Sequence, residues 1–469
     1  MKSAAIIGAG ITGLAAAFYL KRAGAPVTVF EAGGRAGGVI QSLRKDGFLA
    51  ECGPNTILET SPKIARLVRD AGLESRRLNS APAAEARYVV RGRRPVAMPS
   101  SPLGIFGSEL LSLRAKFALL REPFVPARRD GREESVAEFV VRRLNREFLD
   151  KLIDALVAGV YAGDPHRLSL PQAFPRLKAL EDRYGSMIKG QILGAGERKR
   201  SGEVAKDRAP KFSFDEGLQV LPDELAVKLG AALKLNTAVT KLAQTDAGWR
   251  VITARGEAEF GAVIYCGTGY RLAELEIEAG RASPARGPGE EAAQPRRPAG
   301  ILSEIRYPPV ASVVLGFRRE DVAHPCQGYG MLIPKIEGLK ILGTIFSSSL
   351  FPNRAPAGHV LLTSYIGGER YPGLAWLPAG ELVELARADL RTLLGVKGAP
   401  VFQHVALYPK AIPQYNLGYG RYRELLAALE SRFEGLFFAG HYRDGVSLGD
   451  SIVSGVNIAE RAGKFLQAA

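Results

Sequence analysis

The segment Ala4-Ala5-Ile6-Ile7-Gly8-Ala9-Gly10-Ile11-Thr12-Gly13 decides the fold of this chain. It starts with four apolar residues, and a stretch rich in Ala and Leu (14–21) follows it. A second run, Val27-Thr28-Val29-Phe30, ends in the acidic residue Glu31. A strand, a glycine-rich turn, a helix, a second strand and a terminal acid within about 30 residues are typical of a dinucleotide-binding βαβ unit. The pattern predicts an α/β protein with a Rossmann-like sheet.

The glycines of this turn have separate physical tasks. Gly8 permits the tight turn, Gly10 lets the backbone approach a pyrophosphate, and Gly13 lets the helix pack closely on the sheet. Ile11 and Thr12 begin the helix, whose N-terminus offers free N–H groups and a positive dipole to phosphates. These residues are therefore predicted to bind the cofactor.

The next segment favours FAD as the dinucleotide. Glu31 is predicted to accept hydrogen bonds from ribose hydroxyls. A second glycine-rich loop follows at 33–38, and Arg35 and the backbone of Gly37 and Gly38 are expected to reach the same pyrophosphate. This second loop is typical of FAD enzymes of the glutathione-reductase-like type.

With the segments 46–48 (Asp-Gly-Phe) and 51–55 (Glu-Cys-Gly-Pro-Asn), the chain resembles the flavin amine oxidase superfamily. Near the C-terminus, 435–440 reads as a strand ending in glycine, and 445–450 leads into a helix. The resemblance implies noncovalently bound FAD, held in part by Gly53, Pro54, Asn55, Val239, Tyr408, Gly440, Val446 and Leu448. Tyr408 stands where tryptophan is common in the family.

Composition excludes several other classes of protein. The 469 residues are 46% hydrophobic and 24% charged, which fits neither a fibrous nor a disordered chain. Three scattered cysteines form no CxxC pair, so a disulfide framework and a zinc site are not expected. The five histidines show no metal-binding spacing, and no metal is predicted. The formal net charge of +15 comes without a nucleic-acid-binding motif, so an anionic membrane or ligand is favoured over nucleic acid.

Longer motifs in the middle of the chain resemble the oxygen-dependent protoporphyrinogen oxidases. They are 159–165 (Gly-Val-Tyr-Ala-Gly-Asp-Pro), 168–169 (Leu-Ser), 174–175 (Phe-Pro), 343–356, 365–368 and 411–415. The resemblance implies oxidation of protoporphyrinogen IX to protoporphyrin IX with FAD and molecular oxygen. Three alternatives stay open. The substrate could instead be coproporphyrinogen III, or the protein could be another flavin oxidase of the same fold or a non-catalytic FAD-bearing tetrapyrrole carrier.

The same resemblance implies a substrate cavity. Arg87 matches an arginine that pairs with a substrate propionate, and Asn55 matches a polar group beside the substrate. The other residues implied for the cavity are Gly159, Ala162, Tyr329, Leu332, Ile345 and Tyr365. Both tyrosines stand where the family often has phenylalanine. No side chain is predicted to act as a catalytic base.

Apolar residues between 103 and 124 recur at spacings of three and four, which predicts an amphipathic helix. They are Leu103, Phe106, Leu110, Leu113, Phe117, Leu120 and Phe124. Basic residues flank them, so the helix could lie in a membrane interface or pack on the protein's own core. The resemblance favours a cytoplasmic protein attached to the inner face of the cell membrane, with the next enzyme of the tetrapyrrole pathway as a further partner.

Three domains are expected. Segments 1–80, 211–268 and 405–469 would form a discontinuous FAD-binding domain. Segment 81–210 would form a helical, membrane-associating domain that contributes to the cavity, and 269–404 a substrate-binding domain with a mixed sheet. The segment 280–300, rich in Pro, Gly, Ala, Arg and Glu, is expected to be a loop.

Overall fold

The computed structural model describes residues 1–99, 104–194, 209–279 and 297–468. The loop expected at 280–300 lies mostly outside these residues. In chain order the strands are β1 (Ala4–Ile7), β2 (Val27–Phe30), β3 (Ser42–Lys45), β4 (Phe48–Glu51), β5 (Ile57–Leu58), β6 (Arg77–Asn79), β7 (Arg87–Arg91), β8 (Arg94–Ala97), β9 (Lys211–Phe214), β10 (Leu233–Lys234), β11 (Val239–Thr245), β12 (Gly248–Thr253), β13 (Gly256–Phe260), β14 (Ala262–Tyr265), β15 (Glu276–Glu278), β16 (Val310–Arg318), β17 (Gly330–Leu332), β18 (Ile341–Phe346), β19 (His359–Gly367), β20 (Phe402–Tyr408) and β21 (Leu436–Phe438).

The α-helices are, in the same order, α1 (Ile11–Arg22), α2 (Pro62–Asp70), α3 (Gly104–Gly107), α4 (Leu113–Arg121), α5 (Val136–Arg143), α6 (Arg146–Phe148), α7 (Asp154–Tyr161), α8 (Leu170–Ala173), α9 (Pro175–Tyr184), α10 (Met187–Leu193), α11 (Val220–Leu229), α12 (Gly269–Leu272), α13 (Ser347–Leu350), α14 (Ala379–Leu394), α15 (Gly420–Arg432) and α16 (Leu448–Ala468).

A parallel sheet of five strands, in the order β10-β2-β1-β14-β21, confirms the predicted Rossmann-like core. Its central strand β1 is buried along its whole length, as expected for a parallel sheet covered on both faces. Helices α1 and α16 pack against each other beside this sheet. At Gly13 a side chain would collide with the carbonyl oxygen of Gly8, so helix and turn approach more closely than any other residue would allow.

A seven-stranded sheet, in the order β20-β16-β19-β18-β17-β7-β8, forms the second large layer. Its neighbours are antiparallel except β17 and β7, which run parallel. Helix α14 packs on β16, β18, β19 and β20 through Leu382, Ala386 and Leu390, which are buried. The sheet's other face carries side chains of β17, β18 and β19 that line the main cavity.

Residues 104–194 form a layer of short helices joined by a buried charge network. Arg143 is fully buried and donates to Glu122 over 2.6 Å and to Glu181 over 2.7 Å. The carboxylate of Glu122 also accepts hydrogen bonds from Ser186 and from two backbone amides at the start of α10. Buried charges are tolerated when they are paired and hydrogen-bonded in this way.

The amphipathic segment differs from the single helix predicted for it. Helix α3 ends at Gly107, and α4 begins only after Ser112, whose side chain accepts a hydrogen bond from Ala115. Leu110 lies in the break and is buried, so it does not share the exposed face. Leu103 lies outside the described residues. The exposed apolar residues of this segment are Phe106, Leu113, Phe117, Leu120 and Phe124.

In the described part of the chain, no helix has both the length and the apolarity needed to cross a bilayer. The parallel sheet draws its strands from three separate parts of the sequence. The domain boundaries at 80, 210, 268 and 404 stay a prediction.

Candidate active site

One cavity of about 2040 Å³ extends from the glycine-rich turn after β1 to the face of the seven-stranded sheet. The residues predicted to bind the cofactor that line it are Gly8, Gly10, Ile11, Thr12, Glu31, Gly37, Gly38, Gly53, Pro54, Val239, Tyr408, Val446 and Leu448. The predicted substrate residues that line it are Arg87, Gly159, Ala162, Tyr329, Leu332, Ile345 and Tyr365. Gly13, Arg35, Asn55 and Gly440 are not part of its lining.

The turn at the N-terminus of α1 fits a pyrophosphate. No atom lies within 4 Å of the position that a side chain at Gly10 would take, so that space is open to a ligand. Gly10 caps α1 without any side-chain hydrogen bond, which leaves the first amides of the helix available to phosphate oxygens. Gly8 has a φ of +101°, a conformation that glycine adopts without strain. The turn therefore offers a cradle that a side chain would fill.

Glu31 lines the cavity beside the glycine-rich turn. Its carboxylate accepts hydrogen bonds of 2.8 Å from the amides of Ala9 and Gly33. A carboxylate has about four acceptor positions, so two backbone donors leave room for ribose hydroxyls. The geometry fits the ribose contact predicted from the sequence.

Arg35 is oriented differently from its expected contact with the pyrophosphate. Its guanidinium donates to the carbonyl oxygens of Ala36, Gly38 and Ile40, at 3.1, 2.5 and 2.8 Å. It therefore holds the second glycine-rich loop in shape instead of pointing into the cavity. The loop places the backbone of Gly37 and Gly38 at the cavity wall.

At the other end of the cofactor region, α16 begins beside the cavity. Ser447 and Asp450 cap this helix reciprocally, with hydrogen bonds of 3.1 Å in each direction. Gly440 does not reach the cavity, and its amide donates to Ser454 over 2.9 Å. His441, the next residue, lines the cavity instead. Burial lowers the pKa of His441 to about 4, so its imidazole is neutral near pH 7.

The part of the cavity that is predicted to bind the substrate is a slot between α7 and the seven-stranded sheet. Leu332 packs so closely on Gly159 that a side chain at that glycine would collide with it. Ala162 ends α7 in a left-handed conformation, with a φ of +49°. Ile345 lies on β18 beside β17. Backbone and aliphatic groups therefore form most of this part of the wall.

Arg87 is half-buried at the start of β7, and its guanidinium carbon lies 6.0 Å from the centre of the Tyr329 ring. It is a cationic group at the slot wall next to aromatic and aliphatic side chains. A carboxylate in such a slot would need a charged partner, and a guanidinium provides one in a bidentate geometry.

Asn55 is 7% exposed and interacts with the protein instead of the cavity. Its amide nitrogen donates to the Tyr365 hydroxyl over 2.6 Å and to the carbonyl of Gly53 over 3.1 Å. The hydroxyl of Tyr329 pairs with that of Thr56 over 3.3 Å. Both tyrosine rings line the slot while their hydroxyls contact the loop at 53–56.

Sequence reasoning missed several cavity residues. Phe174, Ile412, Tyr415 and His441 also line the wall. Only tertiary structure brings them there, although Phe174 lies in the motif at 174–175, and Ile412 and Tyr415 lie in the motif at 411–415. Among the described residues, no group of His, Cys, Asp and Glu could hold a metal ion.

Comparisons with known proteins agree with this geometry. Residues 11–462 match the model of the family described as flavin containing amine oxidoreductase. Protoporphyrinogen oxidase 2, chloroplastic/mitochondrial, from Arabidopsis thaliana is 35% identical, and the alignment covers 99% of this chain and 94% of the relative. Coproporphyrinogen III oxidase from Bacillus subtilis (strain 168) is 29% identical over 97% of this chain and 96% of its own.

A crystal structure from Exiguobacterium sp. 255-15 superposes with a TM-score of 0.78 at 22% identity, covering 99% of both chains, and it supports the fold. The chain therefore belongs to the flavin containing amine oxidoreductase family, in the group that includes protoporphyrinogen oxidases and coproporphyrinogen III oxidases.

Proposed function

We propose that this protein uses FAD and molecular oxygen to oxidise protoporphyrinogen IX to protoporphyrin IX. The observation that carries the proposal is one continuous cavity in which a dinucleotide cradle continues into a slot that is mostly apolar and has Arg87 at its wall. The relatives named protoporphyrinogen oxidase, which align over nearly the whole chain, support the same activity.

FAD, when bound, would supply two-electron oxidation of the porphyrinogen at a methylene bridge. Three such oxidations, with oxygen accepting the electrons each time, remove the six electrons that separate the porphyrinogen from the porphyrin. The protein's own contribution is to bind, to orient and to exclude water. Leu332 and Ile345 offer aliphatic contacts to a flat tetrapyrrole, and Arg87 offers a charged partner to one propionate. Gly159 lets the backbone of α7 approach the ring without an intervening side chain.

Tyr365 and Tyr408, which both line the cavity, are not suited to removing a proton. Burial raises the pKa of Tyr365 well above its usual value near 10, and it raises that of Tyr408 to about 12. Both hydroxyls therefore stay protonated at neutral pH. In our proposal the conjugation of the substrate itself drives the loss of its pyrrole N–H proton.

The experiment is aerobic turnover by the purified flavoprotein. We expect protoporphyrinogen IX to give porphyrin fluorescence together with oxygen consumption, whereas boiled protein gives only the slow background oxidation. Coproporphyrinogen III is the second substrate to measure, because relatives at 29% and 30% identity are named for it. If the native protein oxidised both porphyrinogens no faster than the boiled protein does, the result would contradict the proposal.

We propose further that the protein attaches to the cytoplasmic face of a membrane through the segment 104–124. Leu113, Phe117 and Leu120 share one face of α4, and Phe124 follows it; these four side chains are between 55% and 80% exposed. Large apolar side chains in a contiguous exposed set mark interaction sites. Arg114 and Arg121 on the same helix supply positive charge for anionic headgroups.

The three-domain division completes the proposal. Segments 1–80, 211–268 and 405–469 would hold FAD, and segment 269–404 would supply most of the substrate sheet. Segment 81–210 would supply β7 and β8 of that sheet together with the membrane contact. A porphyrin is poorly soluble in water, so transfer to the next enzyme of the pathway would be favoured at a membrane.

A further inference from the structure

The loop at 53–56 connects the cofactor cradle to the substrate sheet. Gly53 and Pro54 line the cavity, and one residue, Cys52, separates them from the end of strand β4. A side chain at Gly53 would lie 2.5 Å from the carbonyl oxygen of Val39 and 2.9 Å from the hydroxyl of Tyr408. The loop is therefore tightly enclosed between the second glycine-rich loop and strand β20.

Tyr365 on β19 makes a third contact with the loop. The Tyr365 hydroxyl accepts a hydrogen bond of 2.6 Å from the Asn55 amide and donates one of 3.2 Å to the carbonyl of Gly53. The same Asn55 amide donates to that carbonyl over 3.1 Å. Three groups thus form a closed triangle, which we name the 365–55–53 latch.

The latch uses the groups that a substrate contact would need. An amide nitrogen has two hydrogens, and both of those of Asn55 have acceptors within the protein. The single hydroxyl proton of Tyr365 is directed to Gly53. Because burial raises the pKa of Tyr365, this hydroxyl keeps its proton across the working range of pH. The ring of Tyr365 lines the slot, and its hydroxyl group is hydrogen-bonded to the loop.

We propose that Tyr365 is a positioning residue that acts through Asn55 and Gly53 to set where the 53–56 loop stands between the flavin and the porphyrinogen. The inference rests on the proposed function for its kinetic part only. A displacement of reacting groups by about 1 Å can lower a rate by up to about a hundredfold. A shift of the loop at this junction is therefore expected to change the rate of flavin reduction. Binding of the substrate, which depends on the slot walls and Arg87, has little dependence on the latch.

The test is Tyr365→Phe, which keeps the ring and removes only the hydroxyl. In the FAD-loaded protein we expect the rate of flavin reduction by protoporphyrinogen IX to fall about tenfold while KM changes less than about twofold. Amide hydrogen exchange in a peptide covering 50–58 should become faster, and the flavin absorption spectrum should shift. The kinetic profile against pH should keep its shape, because no titrating group has been lost.

Tyr19→Phe is the matched control. Its hydroxyl donates to Asp70 over 3.1 Å, and Tyr19 does not line the cavity. This variant loses a hydrogen-bonded tyrosine hydroxyl, as Tyr365→Phe does, and it should leave the flavin spectrum, the reduction rate and exchange at 50–58 unchanged.

A double-variant cycle distinguishes the latch from a general loss of stability. Asn55→Ala should resemble Tyr365→Phe, and the two together should cost little more than either alone, because each breaks the same triangle. Additive rate losses, or a Tyr365→Phe protein with wild-type reduction rate and exchange, would overturn the inference. If the wild type oxidises no porphyrinogen, the proposed function fails, whereas exchange and the flavin spectrum still decide for or against the latch.

Discussion

Arg87 is a charged group on the wall of the slot, beside the aromatic and aliphatic side chains of Tyr329, Leu332 and Ile345. Leu332 and Ile345 offer a carboxylate neither a hydrogen bond nor a positive charge, and burying a carboxylate without a partner is costly. A charge-assisted hydrogen bond contributes about 1.5–3 kcal/mol, and solvent at a half-buried position reduces this towards the lower figure. At the scale of single residues, we therefore predict that this arginine strengthens the binding of a propionate.

We expect Arg87→Ala to raise KM for protoporphyrinogen IX roughly tenfold, since about 1.4 kcal/mol corresponds to a factor of ten. FAD content and thermal midpoint should hardly change. Arg87→Lys should recover part of the loss, because an ammonium lacks the planar fork of a guanidinium. Steady-state kinetics of the two variants measures this, and a wild-type KM in Arg87→Ala would show that the propionate binds elsewhere.

Gly10 tests the cradle by itself. Gly10→Val fills the open space beside the N-terminus of α1, so FAD should no longer bind and the protein should purify colourless. Gly380→Val is the control, because Gly380 also has no atom within 4 Å of its side-chain position but lies exposed, away from the cavity. Flavin absorbance per protein reports both, and a yellow Gly10→Val protein would contradict the assignment of the turn.

At the residue scale, some contacts of the candidate site could be predicted from the sequence and others could not. Gly8, Gly10 and Glu31 could be predicted because one local βαβ unit contains all of them. The contact of Asn55 with Tyr365 could not, since 310 positions separate the two residues and no local pattern links them. The turning of Arg35 towards its own loop depends on carbonyl positions that only the folded backbone defines.

Among the elements, the helices between 104 and 194 depend on the buried pair Glu122 and Arg143. Burial raises the pKa of the Glu122 carboxyl, but hydrogen bonds from Ser186, the Met187 amide and Arg143 outweigh this and lower the pKa below 4.5. The carboxylate is thus favoured in the folded protein. Its stabilising effect is complete above about pH 4.5 and is lost as the pH falls through the lowered pKa.

Glu122→Gln should therefore destabilise the protein by about 1.5–3 kcal/mol at pH 7, because Arg143 loses one of its two buried carboxylate partners and keeps only Glu181. The difference from wild type should shrink at acidic pH, where wild-type Glu122 itself becomes protonated. Asp150→Asn removes the exposed partner of Arg146 and should cost less than about 1 kcal/mol. Denaturant unfolding at pH 7 and pH 4 measures these differences, and equal losses for the two variants would contradict the role of burial.

The exposed face of α4 gives a second prediction at this scale. Phe117→Asp combined with Phe124→Asp should abolish sedimentation with anionic liposomes while the flavin stays bound. Each basic residue near an anionic surface adds about 1 kcal/mol, so high salt should also weaken the attachment of the wild type. Val227→Asp is the control, since Val227 is 74% exposed on α11. Unchanged sedimentation of the double variant would show that this face does not contact lipid.

The break between α3 and α4 shows the limit of periodicity as evidence. Spacings of three and four continue through Leu110, but Gly107 and Ser108 precede it, and the capping side chain of Ser112 starts a new helix. Burying the apolar side chain of Leu110 is more favourable than exposing it to water, so tertiary packing decides the conformation of the segment between α3 and α4. Periodicity alone predicted the apolar residues but not which of them reach the surface.

For the molecule as a whole, the βαβ unit at the start and the strand-helix unit at the end both contribute to one parallel sheet. This arrangement brings Gly10 and Leu448 to the same cavity although most of the chain separates them. The sequence motifs predicted this convergence because each has a local pattern. The cavity's continuation into the slot depends on how the two large sheets pack, which no local pattern contains.

The most direct measurement of the central claim is anaerobic mixing of the FAD-loaded protein with protoporphyrinogen IX. We predict that the flavin absorbance bleaches in the absence of oxygen, and that admitting air restores it while porphyrin fluorescence appears. The same mixing with coproporphyrinogen III ranks the two substrates. A flavin that stays oxidised with both porphyrinogens, in a protein that is yellow and folded, would contradict the account.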